Sequence, residues 1–492
     1  MVPIWKPGAA MHADPLKHDR LSFDVVVIGS GPGGAVSGTV LAEAGKSVLM
    51  IEEGAHRALN SAPAFSYEEI LQKYRNAGVN LAMGKAMIAY VEGQCVGGGS
   101  EINRGLYHRA PDWLLERWRR DHAVADLTPE SLAPHFAACE GTAMVEYLPG
   151  DASLMSRRLH DGAVNLGWKA TAAPRLYRYG EGGGRKQSMS ETFVPRFLSA
   201  GGQLLADTRV RHIARHGGKW RVHAVRSATG LAPGPVEITA DRVFVACGAV
   251  HTPALLRRSG MRGHMGNSLR LHPMVKVVAL FDDEVNQEGD LDPVHQVREF
   301  EPELGMGCSI SKRPTLALAL ADRPDALGAV AANWRRMGIY YAQGASGRAT
   351  VRNLPGFRDP LVRVNQGPDE LRKLAKGLRL LCEALFAAGA RLLYPCVPGY
   401  PVLHSPADLD RLPEVLVAQS STLTSVHVFA SCPMGEDPAL SATNSFGRVW
   451  GSDGLHIADA SLLCGPTTVN PQGTVMAIAH RNAVHAVERG FR

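Results

Sequence analysis

The pattern of apolar and polar residues is clearest near the start of the chain. FDVVVIG (23–29) is a continuous apolar run, which is typical of a strand buried on both faces of a parallel sheet. A glycine-rich turn, GSGPGG, completes it, and AVSGTVLAEAG (35–45) then repeats its apolar residues with a helical period. SVLMIEEG (47–54) is a second buried run. These segments predict a strand, turn, helix and strand in one compact unit.

Further along, the pattern alternates between helical and strand-like stretches. Helices are predicted over residues 112–145 and 190–202 and near 367–388. The stretches QLLADTRVRHIAR, KWRVHAVRS and PVEITADRVFVACG predict an antiparallel meander that returns to the main sheet, and strands are also predicted near 274–281 and 336–352. LHIAD (455–459) reads as a last strand. A helix opened by Asn470 and Pro471 follows it, and residues 1–20 form a loose tail.

The first glycine-rich turn has the spacing of a dinucleotide-binding site. Gly29, Gly31 and Gly34 form GxGxxG: the first permits the tight turn, the second lets the backbone approach a pyrophosphate, and the third lets helix pack on strand. Glu52 ends the next strand about 20 positions later, where an acid holds ribose hydroxyls. The alternative is a glycine-rich turn in an α/β unit that binds no nucleotide.

The rest of the chain favours FAD over NAD. We find no second GxGxxG and no CxxC, which a disulfide-reductase type of flavoprotein would carry. DRVFVACGAVHTPALLRRSG (241–260) is instead a strand, a small-residue turn and a helix. Ala246 and Gly248 in that turn would let the chain pass close to a bound cofactor.

Composition excludes several classes of function. The 492 residues suffice for two or three domains, and the formal charge of +6 is spread out, without the basic stripe that nucleic-acid binding needs. No apolar run approaches the ~20 residues of a membrane span, and the N-terminus lacks a secretory signal, so we expect a cytoplasmic protein. The eight cysteines are scattered, which predicts reduced thiols and no metal site.

Three segments together resemble the glucose–methanol–choline (GMC) oxidoreductases, which are FAD-dependent alcohol oxidases and dehydrogenases. The first is the GxGxxG unit. The second is GQCVGGGSEINRGLYHRAP (93–111), similar to the family's Gly-Gly-x-Ser-x-x-Asn loop under the flavin. The third is the tail, HVFASCPMGEDP (427–438) with GLHIADASLLCGPTTVNPQGTVMAIA (454–479). GAVHTPALLRRSG and NSLRLHP match weaker signatures of the family.

The resemblance implies an α/β fold in which a Rossmann-like FAD-binding domain is interleaved with a substrate domain built on an antiparallel sheet. Residues 21–271 and 421–492 would form the discontinuous FAD domain, with inserted lid or loop pieces near 55–92 and 146–190. Residues 272–420 would form most of the substrate domain.

The resemblance also implies the residues that hold FAD. Gly98, Ser100 and Asn103 would lie under the flavin, and Ile102 stands where some members carry a histidine bonded to FAD, so we expect a non-covalent cofactor. Asp459 and Ala460 would hold the ribityl chain, although an aspartate at a strand end can also serve only as a turn residue. Pro471, Gln472 and Gly473 would present a helix N-terminus to the flavin, where negative charge accumulates on reduction.

By the same resemblance, His427 is the general base that takes the hydroxyl proton while the hydride leaves for the flavin. Asn470 is its partner and orients the substrate hydroxyl, as in members with a His–Asn pair. Ala430 and Ser431 replace the usual Gly-Thr of this loop. The alternatives are that His427 is a structural histidine and that Asn470 only caps the helix.

The substrate is less clearly encoded. FDDEVNQEGDLDPVHQVREFEPELG (281–305) carries nine acids against one arginine, and it is either a solvated loop or a funnel for a cationic alcohol. Dehydrogenases of aminosugar hydroxymethyl groups in aminoglycoside pathways resemble this chain and fit the second reading. Sterol or long-chain alcohol oxidation, a redox-silent hydroxynitrile lyase and a non-enzymatic flavin-binding module stay open. The electron acceptor is oxygen or an unknown partner.

Overall fold

The computed structural model describes residues 21–180, 184–226, 234–290, 292–419 and 423–489. The predicted N-terminal tail lies outside these residues. The chain forms two large sheets. Each predicted helix and strand named above has a counterpart, and the mixed α/β fold class is confirmed.

The first sheet is built on the N-terminal unit. Its parallel part is formed, in spatial order, by Gln203–Leu205, Val48–Ile51, Leu21–Ile28, Gly234–Val245 and Leu455–Ile457. The first half of the long strand Gly234–Val245 also carries an antiparallel meander with Lys219–Arg226 and Thr208–His216. The predicted meander therefore joins the main sheet, as its apolar pattern indicated.

Helices cover both faces of this sheet. Pro32–Glu43 packs against the C-terminal helix Gln472–Glu488 and against Phe193–Ser199. The predicted helical stretch 112–145 is divided into Asp112–His122 and Pro129–Ala143, because Ala123 and Asp126 take left-handed backbone angles between them. The two glycine-rich turns and the start of the C-terminal helix lie on the side to which the parallel strands point, where open α/β sheets bind ligands.

The second sheet has eleven strands and is mainly antiparallel. Ten of its strands are hydrogen-bonded to one another in a single row. Their spatial order is Ala349–Arg352, Leu361–Val364, Asn80–Met83, Ile88–Tyr90, Leu423–Ser425, Met274–Leu280, Met337–Gly344, Leu304–Cys308, His295–Val297 and Ala170–Ala172. The eleventh strand, Leu392–Pro395, pairs with Met274–Leu280 outside this row. Two pairings are parallel, Leu361–Val364 with Asn80–Met83 and Ile88–Tyr90 with Leu423–Ser425.

Helices also cover the second sheet. Pro368–Ala387 lies across its central strands with an apolar face and packs against Leu154–Asn165. Arg313–Ala319 and Pro324–Asn333 cover the outer end, where Leu316 and Trp334 meet Val278 and Ile339. Among the described residues, no helix combines the length and the apolar character that crossing a membrane requires.

Four strands of the second sheet come from outside residues 272–420. Asn80–Met83 and Ile88–Tyr90 fall in the piece near 55–92, Ala170–Ala172 in the piece near 146–190, and Leu423–Ser425 in the C-terminal segment. The division of the chain into domains stays a prediction.

Two short sheets complete the fold. Arg270–Leu271 pairs with Val428–Phe429, and Arg175–Arg178 pairs with Val145–Glu146 and Arg185–Lys186. The first of these pairs places residues 272 and 427 side by side.

Candidate active site

The first glycine-rich turn is packed tightly except at one position. A Cβ on Gly29 would lie 2.2 Å from the carbonyl oxygen of Ala246, and one on Gly34 would lie 2.0 Å from that of Gly29. A Cβ on Gly33 would lie 1.8 Å from the carbonyl oxygen of Ala458, a requirement that the GxGxxG spacing did not indicate. A Cβ on Gly31 would meet nothing within 4 Å. Gly31 therefore faces open space.

This open space lies at the start of the helix Pro32–Glu43. Gly31 occupies the cap position, and no side chain caps the helix there. The first N–H groups of a helix lack partners within the helix, and the helix dipole favours an anion. A phosphate group therefore fits against Gly31, and its binding there stays a prediction.

Glu52 lies beside the same turn and is buried. Its Oε2 accepts hydrogen bonds from Ser30 N at 3.0 Å and Ser30 Oγ at 2.7 Å, and its Oε1 accepts one from Gly54 N at 2.9 Å. Burial raises the pKa of this carboxyl, and these hydrogen bonds oppose the shift. The carboxylate thus orders the turn. Its contact with a ribose stays a prediction.

The second glycine-rich loop is joined to the first and to the C-terminal helix. Gly97 N donates to Ser30 Oγ at 3.0 Å, and Ser100 Oγ donates to Gly97 O at 2.7 Å. Gly98 has a φ of +54°, which favours glycine. Asn103 Nδ2 donates to Gln472 Oε1, so two predicted cofactor residues contact each other across 369 positions of sequence.

Asp459 lies two residues after the last parallel strand and orders the turn that follows it. Its Oδ2 accepts hydrogen bonds from Gly248 N at 2.9 Å and from Thr252 Oγ1, and its Oδ1 accepts one from Ser461 N at 2.8 Å. Burial raises the pKa of this carboxyl, opposed by these donors. The carbonyl of Ala460 accepts from Ala430 N at 3.0 Å and ties this turn to the segment that carries His427.

The C-terminal helix begins later than the sequence predicted. The helix begins at Gln472, Pro471 holds the cap position, and no side chain caps it. Asn470 is therefore not the N-cap. A Cβ on Gly473 would lie 2.4 Å from the carbonyl oxygen of His108, so the protein's own chain makes the close approach that requires glycine there, where we had expected the flavin.

The side chain of Asn470 is free for the site because it does not cap the helix. Asn470 Nδ2 lies 3.1 Å from His427 Nε2. The two residues come from separate segments: His427 immediately precedes the short strand Val428–Phe429, and Asn470 lies in the turn before the C-terminal helix. The structure thus brings together the two residues to which the sequence gave catalytic roles.

Three further residues extend this pair, and sequence reasoning assigned a role to none of them. Asn470 Oδ1 accepts from Gln296 Nε2 at 3.1 Å, and Gln296 Oε1 lies 2.8 Å from His108 Nε2. On the other side, His427 Nδ1 lies 3.0 Å from His272 Nδ1. His108 and His272 were within segments similar to the family, but Gln296 lies in the acidic stretch and carried no signal.

Electrostatics keep His427 neutral. Burial, followed by the charge of His108, lowers the pKa of His427 to about 4. Burial and Arg298 lower the pKa of His108 to about 4 as well. A neutral imidazole with its Nε2 lone pair held toward Asn470 can accept a proton at neutral pH.

These histidines also make the fold sensitive to acid. Histidine has a pKa of about 6.5 in an unfolded chain, whereas burial lowers that of His456 to about 3 and those of His108 and His427 to about 4. The unfolded state therefore binds more protons below pH ~6.5, and stability decreases as the pH falls from there toward about 4. We expect thermal unfolding midpoints to drop steadily between pH 7 and pH 5.

His456 provides a matched control for this prediction. Its ring stacks on Phe244 with centroids 4.6 Å apart, so His456→Phe preserves an aromatic ring and removes one proton site. The variant should show a shallower loss of stability over the same range of pH. A midpoint that is unchanged from pH 7 to pH 5 in the native sequence would contradict the account.

The acidic stretch 281–305 is neutralised by the protein itself. Seven of its nine acids form ion pairs with arginine or lysine. The other two, Asp290 and Glu299, accept hydrogen bonds from the backbone N–H groups of Gln287 and Lys169. The ion pairs are Asp282–Arg391, Asp283–Arg158, Glu284–Arg335, Glu288–Arg313, Asp292–Arg104 with Asp292–Arg175, Glu301–Arg298 and Glu303–Lys376. The stretch therefore does not present an uncompensated negative funnel to a cationic substrate.

The chain is similar to known proteins in sequence and in fold. Family models described as GMC oxidoreductase match residues 67–274 and 345–479, and one described as FAD binding domain matches residues 24–89. The chain is 37% identical to an uncharacterised GMC-type oxidoreductase of Sinorhizobium fredii over 485 residues, 96% of each chain. It is 25% identical to a long-chain-alcohol oxidase of Arabidopsis thaliana, covering 97% of this chain and 70% of that protein.

The fold is similar to that of pyridoxine 4-oxidase from Mesorbium loti. The TM-score is 0.73 at 18% sequence identity, and the similarity covers 94% of this chain and 98% of that one. At this identity the similarity concerns the fold alone.

Proposed function

The chain belongs to the GMC oxidoreductase family, and we propose that its His427–Asn470 pair is the centre at which a polar alcohol is oxidised to a carbonyl. FAD is the cofactor, and when bound it accepts the hydride from the alcohol carbon. The observation that carries the proposal is the contact of 3.1 Å between Asn470 Nδ2 and His427 Nε2, at the start of an uncapped helix.

The residues around both glycine-rich turns fit FAD. Open space at Gly31 suits the pyrophosphate, and Glu52 suits a ribose. The remaining cofactor residues that we propose are Gly29, Gly34, Gly98, Ser100, Asn103, Asp459, Ala460, Pro471, Gln472 and Gly473. Ile102 offers no nucleophile, which supports non-covalent binding. Thr474 Oγ1, in the first turn of the C-terminal helix, is buried with no hydrogen-bond partner among the described residues, as expected of a group near a ligand.

The proposed chemistry uses the geometry of the pair. The substrate hydroxyl replaces the direct contact between the two side chains, so that Asn470 Nδ2 donates to its oxygen and His427 Nε2 accepts its proton. Gln296 fixes the amide of Asn470 by donating to its Oδ1. The N–H groups at the start of Gln472–Glu488 stabilise negative charge that develops beside them during reduction.

The surroundings of the pair favour a polar substrate. Gln296 contacts Asn470, and Tyr341 hydrogen-bonds Gln296 beside the pair. An aminosugar hydroxyl of the aminoglycoside type is the most specific form of this proposal. Because the acids of 281–305 are ion-paired, a neutral polyhydroxylated alcohol suits the same surroundings.

A second candidate is a long-chain alcohol, favoured by the similarity to the long-chain-alcohol oxidase of Arabidopsis thaliana. The two candidates differ in how rate depends on the length of an alkyl chain. A hydrophobic channel gains about 0.8 kcal/mol for each methylene group that it buries, so kcat/KM would increase severalfold with each added carbon.

The test compares kcat/KM for an aminosugar, a neutral sugar alcohol and 1-alkanols of four to twelve carbons, with oxygen and with an artificial electron acceptor. We expect the polar alcohols to be oxidised faster than any alkanol, with no increase along the alkanol series. A steady increase with chain length would replace the polar substrate by a long-chain alcohol. Comparison of the two acceptors distinguishes an oxidase from a dehydrogenase.

A further inference from the structure

Behind His427, on the side away from Asn470, lies a second histidine that is almost fully enclosed. His272 is 1% exposed, and its Nδ1 lies 3.0 Å from His427 Nδ1. The two rings are nearly perpendicular, at 87°. Backbone contacts fix this arrangement, since His272 N donates to the carbonyl oxygen of His427 at 3.3 Å and to Ser425 Oγ at 3.1 Å.

The hydrogen-bond network assigns the protons of both rings. Gln296 Nε2 donates to Asn470 Oδ1, so Asn470 Nδ2 is the donor to His427 Nε2. His427 then carries its hydrogen on Nδ1 and donates it to His272 Nδ1. It follows that neutral His272 carries its own hydrogen on Nε2.

His272 also lines a small pocket. Gln343 and Glu303 line the same pocket. His272 Nε2 and Gln343 Oε1 are both buried, and neither has a hydrogen-bond partner among the residues that the structure describes. A water molecule in this pocket would give both groups a partner, and leaving them buried and unpaired would be costly.

We propose that His427 and His272 form a proton relay, by which the hydroxyl proton of the substrate leaves the active site through this pocket. His427 Nε2 takes the proton from the hydroxyl oxygen. His427 Nδ1–H passes its proton to His272 Nδ1, and His272 Nε2–H passes its proton to water in the pocket. Each imidazole gains one proton and loses one, and the reverse transfer restores both tautomers when a proton is needed for reoxidation.

The groups around the two histidines let a proton move on and do not hold it on either ring. In the described part of the chain, neither histidine forms an ion pair with a carboxylate that would hold the proton on the ring. The ring of His272 meets the apolar ring of Phe429 in a T-shaped contact. Glu303 lies at the pocket with a half-exposed side chain that pairs with Lys376 at 3.6 Å, and it can receive the proton from water.

This inference rests on the proposed function, and one substitution separates the two roles that His272 could have. The amide oxygen of asparagine can take the place of His272 Nδ1, so His272→Asn keeps an acceptor for His427 Nδ1–H but cannot pass a proton onward. His272→Leu removes both the acceptor and the relay. If His272 had only a structural role, flavin reduction and proton release would be affected about equally in His272→Asn.

The test is anaerobic stopped-flow mixing of the holoenzyme with a reducing alcohol in weakly buffered solution that contains a pH indicator. In the native enzyme, we expect release of one proton in step with loss of the flavin absorbance. In His272→Asn, the absorbance should be lost at a similar rate, whereas proton release should lag behind it by at least about tenfold. Release that stays in step with flavin reduction in His272→Asn would overturn the relay.

A second measurement is independent of turnover. In protein labelled with ¹⁵N in histidine, imidazole shifts report which nitrogen carries the hydrogen, and His427→Asn and His272→Asn assign the two rings. The relay requires hydrogen on Nδ1 of His427 and on Nε2 of His272, and the opposite tautomer of His272 would exclude it. If no alcohol reduces the flavin, the proposed function fails, while these tautomers still decide whether the relay is built.

Discussion

Replacing His427 with glutamine is expected to lower the rate constant for anaerobic flavin reduction by an alcohol about 10²–10⁴-fold, the usual contribution of a general base. Glutamine can keep a hydrogen bond to Asn470, whose Nδ2 lies 3.1 Å from His427 Nε2 in the native chain, but it cannot take a proton. Single-turnover stopped-flow absorbance at saturating alcohol measures this rate constant separately from substrate binding.

The flavin content of His427→Gln and its visible spectrum should match those of the native protein, because no residue of the two glycine-rich turns is altered. His404 is an exposed histidine and provides the control, since His404→Gln should leave the rate constant unchanged. If His427→Gln retains its flavin and reduces it within about threefold of the native rate, a contribution of general-base size is excluded, and His427 is structural.

Replacing Gly31 with valine is expected to lower the affinity for FAD by at least about tenfold, which corresponds to about 1.4 kcal/mol. Gly31 has a φ of −64°, which other residues adopt readily, and its Cβ would project into open space at the start of Pro32–Glu43. The protein should therefore fold, while the new side chain occupies the position of the phosphate. Titration of the apoprotein with FAD, followed by fluorescence quenching, measures the affinity.

Gly33 is the contrasting position in the same turn. A Cβ there would lie 1.8 Å from the carbonyl oxygen of Ala458, which is backbone and cannot move aside cheaply. Gly33→Ala should reduce the yield of folded protein, with or without FAD. If Gly31→Val folds and binds FAD as tightly as the native chain, the phosphate does not lie against Gly31.

The sequence was sufficient for the features that depend on local pattern. The apolar runs of Leu21–Ile28 and Val48–Ile51, with the glycines between them, predict two parallel strands and the turn where a phosphate fits, because both the strand period and the turn are decided within thirty residues. His427 and Asn470 were found by their place in motifs that resemble the family, and the structure places them in contact.

The same local rules misassigned Asn470 as a helix cap. Asparagine before proline at a helix start is usually a cap, but its side chain is held by Gln296 and His427, which lie 174 and 43 positions away in the sequence. The sequence could not reveal this competition, since it depends on which strands of the second sheet lie beside the turn.

Long-range contacts also explain what else was missed. His272 is 155 positions from His427, and no local pattern indicates that the two share a hydrogen bond. In the sequence, the acids of 281–305 indicate a charged patch. In the fold, arginines from distant segments neutralise them, for example Arg104 and Arg175 at Asp292.

The most direct test of the central claim is an anaerobic absorbance spectrum of the purified protein with FAD, recorded before and after addition of each alcohol. The account predicts that at least one polar alcohol bleaches the flavin band of the native protein, and that the same alcohol leaves His427→Gln unbleached on that timescale. If dithionite bleaches the flavin but no alcohol does so, the protein is not an alcohol oxidoreductase, and a redox-silent use of FAD takes its place.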